Sequence, residues 1–465
     1  MLNLLWSVGA FLVAIGVLVS VHEYGHFWAA RRAGVRVLRF SIGFGRPLWR
    51  RTDRHGTEFV IAALPLGGYV KMLDETEAPV PPGQLEQAFN RKPVLARMAV
   101  VVAGPLANLL LAWLLYWAMF MVGTYGQRPV VGQVLPGTPA AGAGFQAGDE
   151  LRAVDGRTVR TWEDAVLALL PAAIDGRQIT VQVRPADAPG SDRARALDLS
   201  GLDYRAENPD VMRHVGLAWR GPRLEPRVGE VLAGGVAAKA GLQKGDLLLA
   251  ANGKPLTDWN DWVQLVRASP QQVIALRLRR GDTELELSLT PEVLDEGGTR
   301  IGRVGVAPQP VTAQFDDYYL RQHYGPLRSA GEALGKLRDM TVLTGEVIGR
   351  MLTGSASSRN ISGPLSIAEF AGHSARLGVA QFLSFLGLVS LSLGLLNLLP
   401  VPVLDGGHLL YYAAELVRGR PLPERVRAAG QQVGLAALLA LTVLAFYNDI
   451  TRLLFRSDCG QRPAR

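Results

Sequence analysis

Long runs without Asp, Glu, Lys or Arg divide this chain before any single residue is considered. Residues 4–21, 98–122, 378–404 and 428–448 are uncharged and mostly apolar. About 20 such residues, as helix, cross a hydrocarbon core of about 30 Å. The pattern predicts four transmembrane helices. The first run has no basic flank before it and leads into His22 rather than a small-residue cleavage site, so it reads as a span and not as a signal peptide.

Between the second and third runs the pattern changes to short alternating strands separated by Gly, and it occurs twice. Residues 131–164 recur at 228–261 with a constant offset of 97. Gly132, Val134, Leu135 and Gly137 return as Gly229, Val231, Leu232 and Gly234, Gly148-Asp149 as Gly245-Asp246, and Trp162 as Trp259. Each copy reads as a strand, a short Ala-rich helix ended by Gly, a strand after Gly-Asp, a turn at Asp-Gly or Asn-Gly, a helix beginning near the Trp, and a further strand. A period this long means two copies of one α+β domain rather than a solenoid. After the second copy, residues 316–351 carry helical periodicity with basic residues on one face, as in a helix lying on a surface, and a Gly-Ser-rich stretch follows at 354–362.

Charge orients the spans. Arg31, Arg32, Arg36, Arg39, Arg46, Arg50, Arg51 and Arg54 lie between the first and second runs, and Arg418, Arg420, Arg425 and Arg427 between the third and fourth. Basic short loops stay in the cytoplasm. The repeats and both termini are therefore expected outside it, although Arg452, Arg456, Arg462 and Arg465 in the C-terminal tail pull the other way. The net charge of +8 is accounted for by these loops and requires no nucleic acid, and the 48% hydrophobic content argues against three soluble domains. The single cysteine, Cys459, excludes an intramolecular disulfide framework. The expected organisation is a polytopic α-helical membrane protein. Residues 1–30 form the first span, 31–97 a cytoplasmic loop, 98–122 the second span, and 127–221 and 222–312 the repeated domains. Residues 313–377 form a helical linker, 378–408 the third span and 428–448 the fourth.

The candidate chemistry begins where the first span ends. His22 and His26 are four residues apart, so both imidazoles leave one face of a helix and can reach one ion, with Glu23 beside them. HExxH is the pattern of a zinc hydrolase in which the Glu is the base for an activated water. The competing reading is an interfacial polar belt at a helix end, but an ionisable cluster there is costly and points to function. Catalytic zinc takes three protein ligands. His55, His214, His323 and His373 fall in loops or outside the membrane, which leaves the end of the third span. Asp405 is the expected third ligand; the alternatives are His408 in that role and Asp405 as a partner that only orients a ligand histidine.

Two resemblances bear on this reading. The repeats resemble PDZ domains over residues 139–149 and 236–246, which implies peptide capture by strand addition to an open sheet edge. In the permuted bacterial form the receiving strand comes last in each copy. It would hold Val215, Gly216 and Leu217 in the first and Val304, Gly305 and Val306 in the second, and exposed peptide C-termini would be the ligands. An edge that binds nothing and only sieves by bulk is the alternative. HExxH, Asn397-x-x-Pro400-x-Pro402-x-Leu404-Asp405-Gly406-Gly407, the stretch 64–72, Phe44-Gly45 and Gly104-Pro105, with PDZ-like repeats between spans two and three, together resemble the site-2 family of intramembrane metalloproteases. The resemblance implies one zinc held by His22, His26 and Asp405, with Glu23 catalytic. It also implies regulated proteolysis, in the bacterial inner membrane, of single-pass proteins: an anti-sigma factor already trimmed outside the membrane, and remnant signal peptides.

A substrate helix in lipid has every backbone group paired, so the enzyme must offer partners once it unwinds. Asn397 can donate and accept, and Pro400 and Pro402 break the third span. The apolar stretch 58–72, with Gly67 and Gly68, is expected to form a membrane-associated β-hairpin that pairs with the extended substrate. Asn397 as an interhelical packing bond is the alternative. Gly104, Pro105 and Asn108 read as a kink and packing surface. The rival function is a non-proteolytic scaffold that captures C-termini with its two PDZ-like domains.

Overall fold

The computed structural model describes residues 2–76, 78–188, 190–202, 211–222, 224–296, 299–309, 315–352 and 363–457. The predicted Gly-Ser-rich stretch 354–362 lies outside them. Two compact units emerge, one from residues 2–125 and 321–457 and the other from residues 126–320.

The first unit is helical. α1 (Leu2–Arg32), α2 (Val94–Val122), α8 (Val379–Asn397) and α10 (Glu424–Ser457) each contain a stretch long and apolar enough to cross a membrane, at the places the uncharged runs predict. With lipid as solvent, helices associate through small residues that let backbones approach. Gly25 of α1 lies against the Ala103 carbonyl of α2, and Gly387 and Gly394 of α8 lie against Tyr116 and Pro105 of α2, where a Cβ would crowd or collide with its neighbour. α6 (Pro326–Leu352) packs on the far half of α2, whose Trp113 and Trp117 donate to the carbonyls of Ala330 and Pro326 at 3.2 and 2.9 Å. α7 (Pro364–Leu377) is capped from another helix. Asp449 of α10, almost wholly buried, accepts from the amides of Gly363, Leu365 and Ser366 and from the Ser366 hydroxyl. This satisfies donors that an uncapped helix start would leave without partners.

Three expectations are corrected in this unit. The third span does not run to residue 408. α8 stops at Asn397, and Asp405 opens a separate helix, α9 (Asp405–Arg418), because Pro400 and Pro402 have no N–H and push the residues before them out of the helical region. The periodic stretch 316–351 is also interrupted. A single turn at Phe315–Tyr318 is followed by a strand at Tyr319–Gln322, and the helix begins only at Pro326, where proline suits the first turn. Finally, a β-hairpin does form within residues 31–97, but residues 58–72 are only one of its arms. They form one long strand, β2 (Glu58–Met72), whose partner is β1 (Val37–Thr52).

Both strands bend, so four segments lie side by side. Residues 47–52 pair with 58–62, 58–61 pair with 39–42, and 37–42 pair with 68–72. The bend in β2 falls at Gly67, whose positive φ of 151° disfavours a side chain and whose Cβ would strike the Phe44 ring. Segment 68–72 is left as an outer edge.

The second unit contains the repeats. In the first, Arg157–Thr158, β4 (Glu150–Val154), β5 (Gln178–Arg184) and β6 (Arg193–Asp198) form one antiparallel sheet. In the second, Lys254–Pro255, β9 (Leu247–Ala251), β10 (Ile274–Arg280) and β11 (Thr283–Leu289) repeat that order. β3 (Val131–Val134) pairs with β7 (Leu217–Trp219), and β8 (Val228–Val231) pairs with β14 (Val306–Pro308). α3 (Trp162–Asp175) and α5 (Trp259–Ala268) each begin with a capping box and pack their Trp into the core. The Gly-Asp motif has a common task. Asp149 and Asp246 are buried and accept from the Gln146 and Gln243 amides, and each meets an arginine, Arg195 at 3.0 Å and Arg280 at 2.8 Å.

The copies differ at the expected receiving strands. In the first, Val215 does not lie in the strand; it closes α4 (Val211–Val215), because Val211, Met212 and Val215 are drawn into the apolar core, and the strand starts at Leu217. In the second, a hairpin of β12 (Glu292–Glu296) and β13 (Thr299–Arg303) precedes Val304 and Gly305, and the strand starts at Val306.

Burial would raise the Asp246 carboxyl, but the bidentate Arg280 guanidinium and the Gln243 amide hold it below the ordinary carboxylate range. Its stabilising effect is therefore full above the unfolded-state value and lost as pH falls through the depressed folded value. Asp246→Ala is expected to lower the stability of the second repeat by about 3 kcal/mol at neutral pH. The same substitution should have a smaller effect in strong acid. Thermal melts monitored by Trp259 and Trp262 fluorescence at two pH values check both statements.

Candidate metal centre

α1 carries His22 and His26 on the face toward α2, with Glu23 beside them toward β2. A Cβ at Gly104 would run into the His26 ring, so glycine at this position of α2 makes the room the imidazole occupies. His26 Nδ1 lies 2.9 Å from the Val100 carbonyl, and His22 Nδ1 lies 3.2 Å from the Asn108 side-chain amide. Each ring is thereby held by one nitrogen with the other, Nε2, pointing inward.

The third group arrives from α9. Asp405 Oδ2 lies 3.2 Å from His22 Nε2 and 3.4 Å from His26 Nε2, and the two nitrogens are 3.2 Å apart. Atoms at these separations match the vertices of a tetrahedron whose centre is about 2.0 Å from each, the zinc–nitrogen and zinc–oxygen distance. Among the described residues, these three are the group of His, Cys, Asp or Glu side chains close enough to share an ion. Oδ2 of Asp405 is buried and makes no well-directed hydrogen bond, as suits an oxygen whose partner is a cation. The donor set of two imidazoles and one carboxylate fits zinc. His408, the competing ligand, lines the same cleft one turn further along α9 but is not in that group.

α9 is fixed at both ends. At its start, a Cβ on Gly406 would collide with the carbonyls of Leu398 and Leu399, and one on Gly407 with that of Val401, so the helix tucks against the broken segment. Val403 in that segment has φ of 105°, a strained value for a β-branched residue, of a kind found where surrounding structure over-determines a functional site. At its far end, Glu415 accepts from Arg97 of α2 at 2.7 and 3.2 Å, with the Arg97 guanidinium 4.8 Å from the Tyr412 ring centre.

A cleft of about 890 Å³ opens beside these groups, lined by His22, Glu23, His26, Gly68, Val70 and Asp405, among others. Part of its wall is the outer segment 68–72 of β2. A Cβ on Gly68 would crowd Glu23 and Val19, and the Val70 amide faces the Glu23 carboxylate. Of the expected substrate-contacting residues, Gly68 lines the cleft, while Gly67, Asn397, Pro400 and Pro402 do not. Asn397 ends α8, and Pro402 lies against Gly430 and Gly434 of α10. The packing role expected of Gly104 and Asn108 was incomplete, since both touch the histidines directly. The signal was present in the sequence: Val100, Gly104 and Asn108 are spaced by four and share one face of α2, and Asn108 is a lone amide in an uncharged run.

In the second repeat a groove of about 540 Å³ runs between β14 and α5, lined by Val263, Val266, Ile301, Val304, Gly305 and Val306. In the first repeat the segment before the corresponding strand is α4, and the Gly216 amide donates back to the Met212 and Arg213 carbonyls.

Two histidines one helical turn apart, a convergent aspartate and an adjacent glutamate, set in helices long enough to span a bilayer, define a membrane-embedded metallopeptidase centre. The chain belongs to peptidase family M50, whose family model matches residues 10–441. It is 46% identical to the regulator of sigma-E protease RseP of Escherichia coli K12 over 455 residues, covering 97% of this chain and all of that one. It is 45% identical to the protease RseP of Yersinia pestis over 97% of this chain and all of that one. It is 44% identical to a protein of Xylella fastidiosa named for zinc metalloprotease activity, over 96% of this chain and 99% of that one. A solved PDZ domain of an SdrC-like protein from Listeria monocytogenes aligns with 21% of this chain and 92% of its own length at 18% identity, but its TM-score of 0.16 is too low to bear on the fold. The protein is a zinc metalloprotease.

Gly104→Ala is expected to displace the His26 ring and weaken zinc binding by about 10- to 100-fold, while the helical content stays unchanged. Zinc analysis and circular dichroism of the purified variant check this.

Proposed function

We propose that the protein is an intramembrane zinc endopeptidase of the bacterial inner membrane. It cuts single-pass proteins already shortened outside the membrane, an anti-sigma factor of an envelope stress response and remnant signal peptides among them. The observation that carries the reading is the placement of Glu23 between the convergent His22, His26 and Asp405 and the outer segment of β2, residues 68–72. The relatives named as regulators of sigma-E protease support the stress-response role. The arginines of residues 31–54 and 418–427 support a cytoplasmic position for the loops beside the centre, with the repeats and both termini on the other side.

His22, His26 and Asp405 hold the ion. Zinc at such a site supplies Lewis acidity, which acidifies water and polarises a carbonyl. Glu23 takes the proton of the attacking water on its carboxylate and gives it to the leaving amine. The substrate must be extended for this, and an unwound segment in lipid has unpaired N–H and C=O groups. The outward main-chain groups of residues 68–72 take them up as an added strand, which lays the scissile bond beside Glu23. Asn397, Pro400 and Pro402 act further off, by breaking α8 so that Asp405 can be presented. The repeats act as PDZ domains that admit trimmed substrates, and the open groove of the second points to that copy as the receptor for an exposed apolar C-terminus. A labelled peptide with such an end should bind the wild-type protein and lose binding with Val263→Lys; equal binding to both would remove the receptor role.

Glu23→Gln keeps the shape of the side chain and should leave zinc content unchanged, yet lower cleavage of a tagged single-pass substrate lacking its outer domain by about 10²- to 10⁴-fold. Cleavage by wild type alone, in liposomes, supports the reading. Failure of wild type on several trimmed substrates, with zinc bound, favours a non-proteolytic scaffold.

A further inference from the structure

The two histidines are held by different kinds of partner. His26 Nδ1 faces a main-chain carbonyl, that of Val100, which can only accept. Its Nδ1 must therefore carry the proton, and its Nε2 presents a lone pair. His22 Nδ1 instead faces the side-chain amide of Asn108, which is wholly buried and can either donate through Nδ2 or accept through Oδ1. The two ends of an amide have the same shape and exchange by a half-turn.

Ligation by His22 Nε2 selects one of those two arrangements. It needs the proton on Nδ1, and a buried Nδ1–H needs an acceptor. With Nδ2 toward the ring, as the amide stands, Oδ1 of Asn108 is buried without any partner. With Oδ1 toward the ring, Nδ1–H gains an acceptor, and the unpartnered end of the amide becomes Nδ2 instead. The turn bearing Asn108 is also fixed, because its main-chain carbonyl accepts from the Ser390 hydroxyl of α8 at 2.8 Å. We propose that Asn108 is a positioning residue for the metal centre, whose side-chain carbonyl holds His22 in the form with Nδ1 protonated and Nε2 free to ligate. The inference rests on His22 being a zinc ligand.

The test is zinc affinity of the purified full-length chain, by competition with a chromophoric chelator, for wild type, Asn108→Asp, Asn108→Leu and His22→Ala. The melting temperature of each metal-free protein and the visible spectrum of its cobalt form are recorded alongside. Asp keeps an acceptor at the same place and Leu keeps only the volume. The expected result is that Asp binds zinc within about threefold of wild type or tighter, while Leu binds about 10- to 100-fold more weakly with a changed cobalt spectrum. A packing role gives the opposite order, since Leu would then be harmless and a buried carboxylate harmful. Near-wild-type affinity and spectrum for Leu, or equal losses for Leu and Asp, would overturn the proposal. If Leu does not yield folded protein, Asn108→Ala takes its place with the same criteria. His22→Ala separates the two levels: tight zinc binding by that variant overturns the ligand assignment itself, whereas its loss alongside an unaffected Leu variant overturns only the role of Asn108.

Discussion

The metal centre depends on how closely α1 and α2 approach at Gly25 and Gly104. An imidazole nitrogen buried between two transmembrane helices has no water to turn to, so each one not facing the ion needs a partner from protein. The partners are the Val100 carbonyl and the Asn108 amide, both on α2. They come within reach only because Gly25 has no Cβ to hold the Ala103 carbonyl away and Gly104 has none to occupy the place of His26. Pro105 next to Gly104 has no amide, so the main chain is already relieved of one donor at that level. Without this contact, HExxH would be only a polar end to an apolar helix.

The same helix also sets the position of the third group. Asp405 is 379 residues beyond His26 in sequence, and α9 could meet the histidines at many angles. Two features remove that freedom. Gly406 and Gly407 pack beneath the carbonyls of the broken segment after α8, and Arg97 in the first turn of α2 grips Glu415 in the last turn of α9 with two hydrogen bonds. α2 thus holds the two histidines near its middle and the helix of the aspartate near its start. Preorganisation of this kind is what a metal centre needs if three ligands are to stay within a few tenths of an ångström of their working places. The break in α8 has two consequences: it frees main chain within the membrane protein, and it lets a new helix begin at Asp405.

What could be read from the residues follows from how local each feature is. The four spans are properties of single uncharged runs, and the spacing of His22 and His26 is a property of one helix, so both were legible. Asp405 was reached by eliminating the other histidines and by depth. The chemistry of Asn108 was not reached, because its meaning lies in a partner 86 residues away. The β1–β2 pairing was missed for a similar reason. Residues 58–72 contain Gly67-Gly68, a good local turn signal, but the strand that pairs with them is residues 37–52, and the glycines serve a bend instead. The long helix expected from residue 316 failed at Gly325-Pro326, a visible break that periodicity alone passes over.

The repeats carry that lesson one step further. The identity between the copies lies within residues 131–164 and 228–261, which supply the first strands, the capped starts of the helices and the buried Gly-Asp aspartates. Even there the arginine that meets the aspartate comes from β6 in one copy and from β10 in the other. The segments that precede the last strand, α4 in the first copy and the β12–β13 hairpin in the second, lie after the matching region and differ in kind. In the first copy the Gly216 amide is used inside the chain, donating to the Met212 and Arg213 carbonyls. Duplication therefore kept the early part of each repeat alike and left the segments before the last strand to diverge.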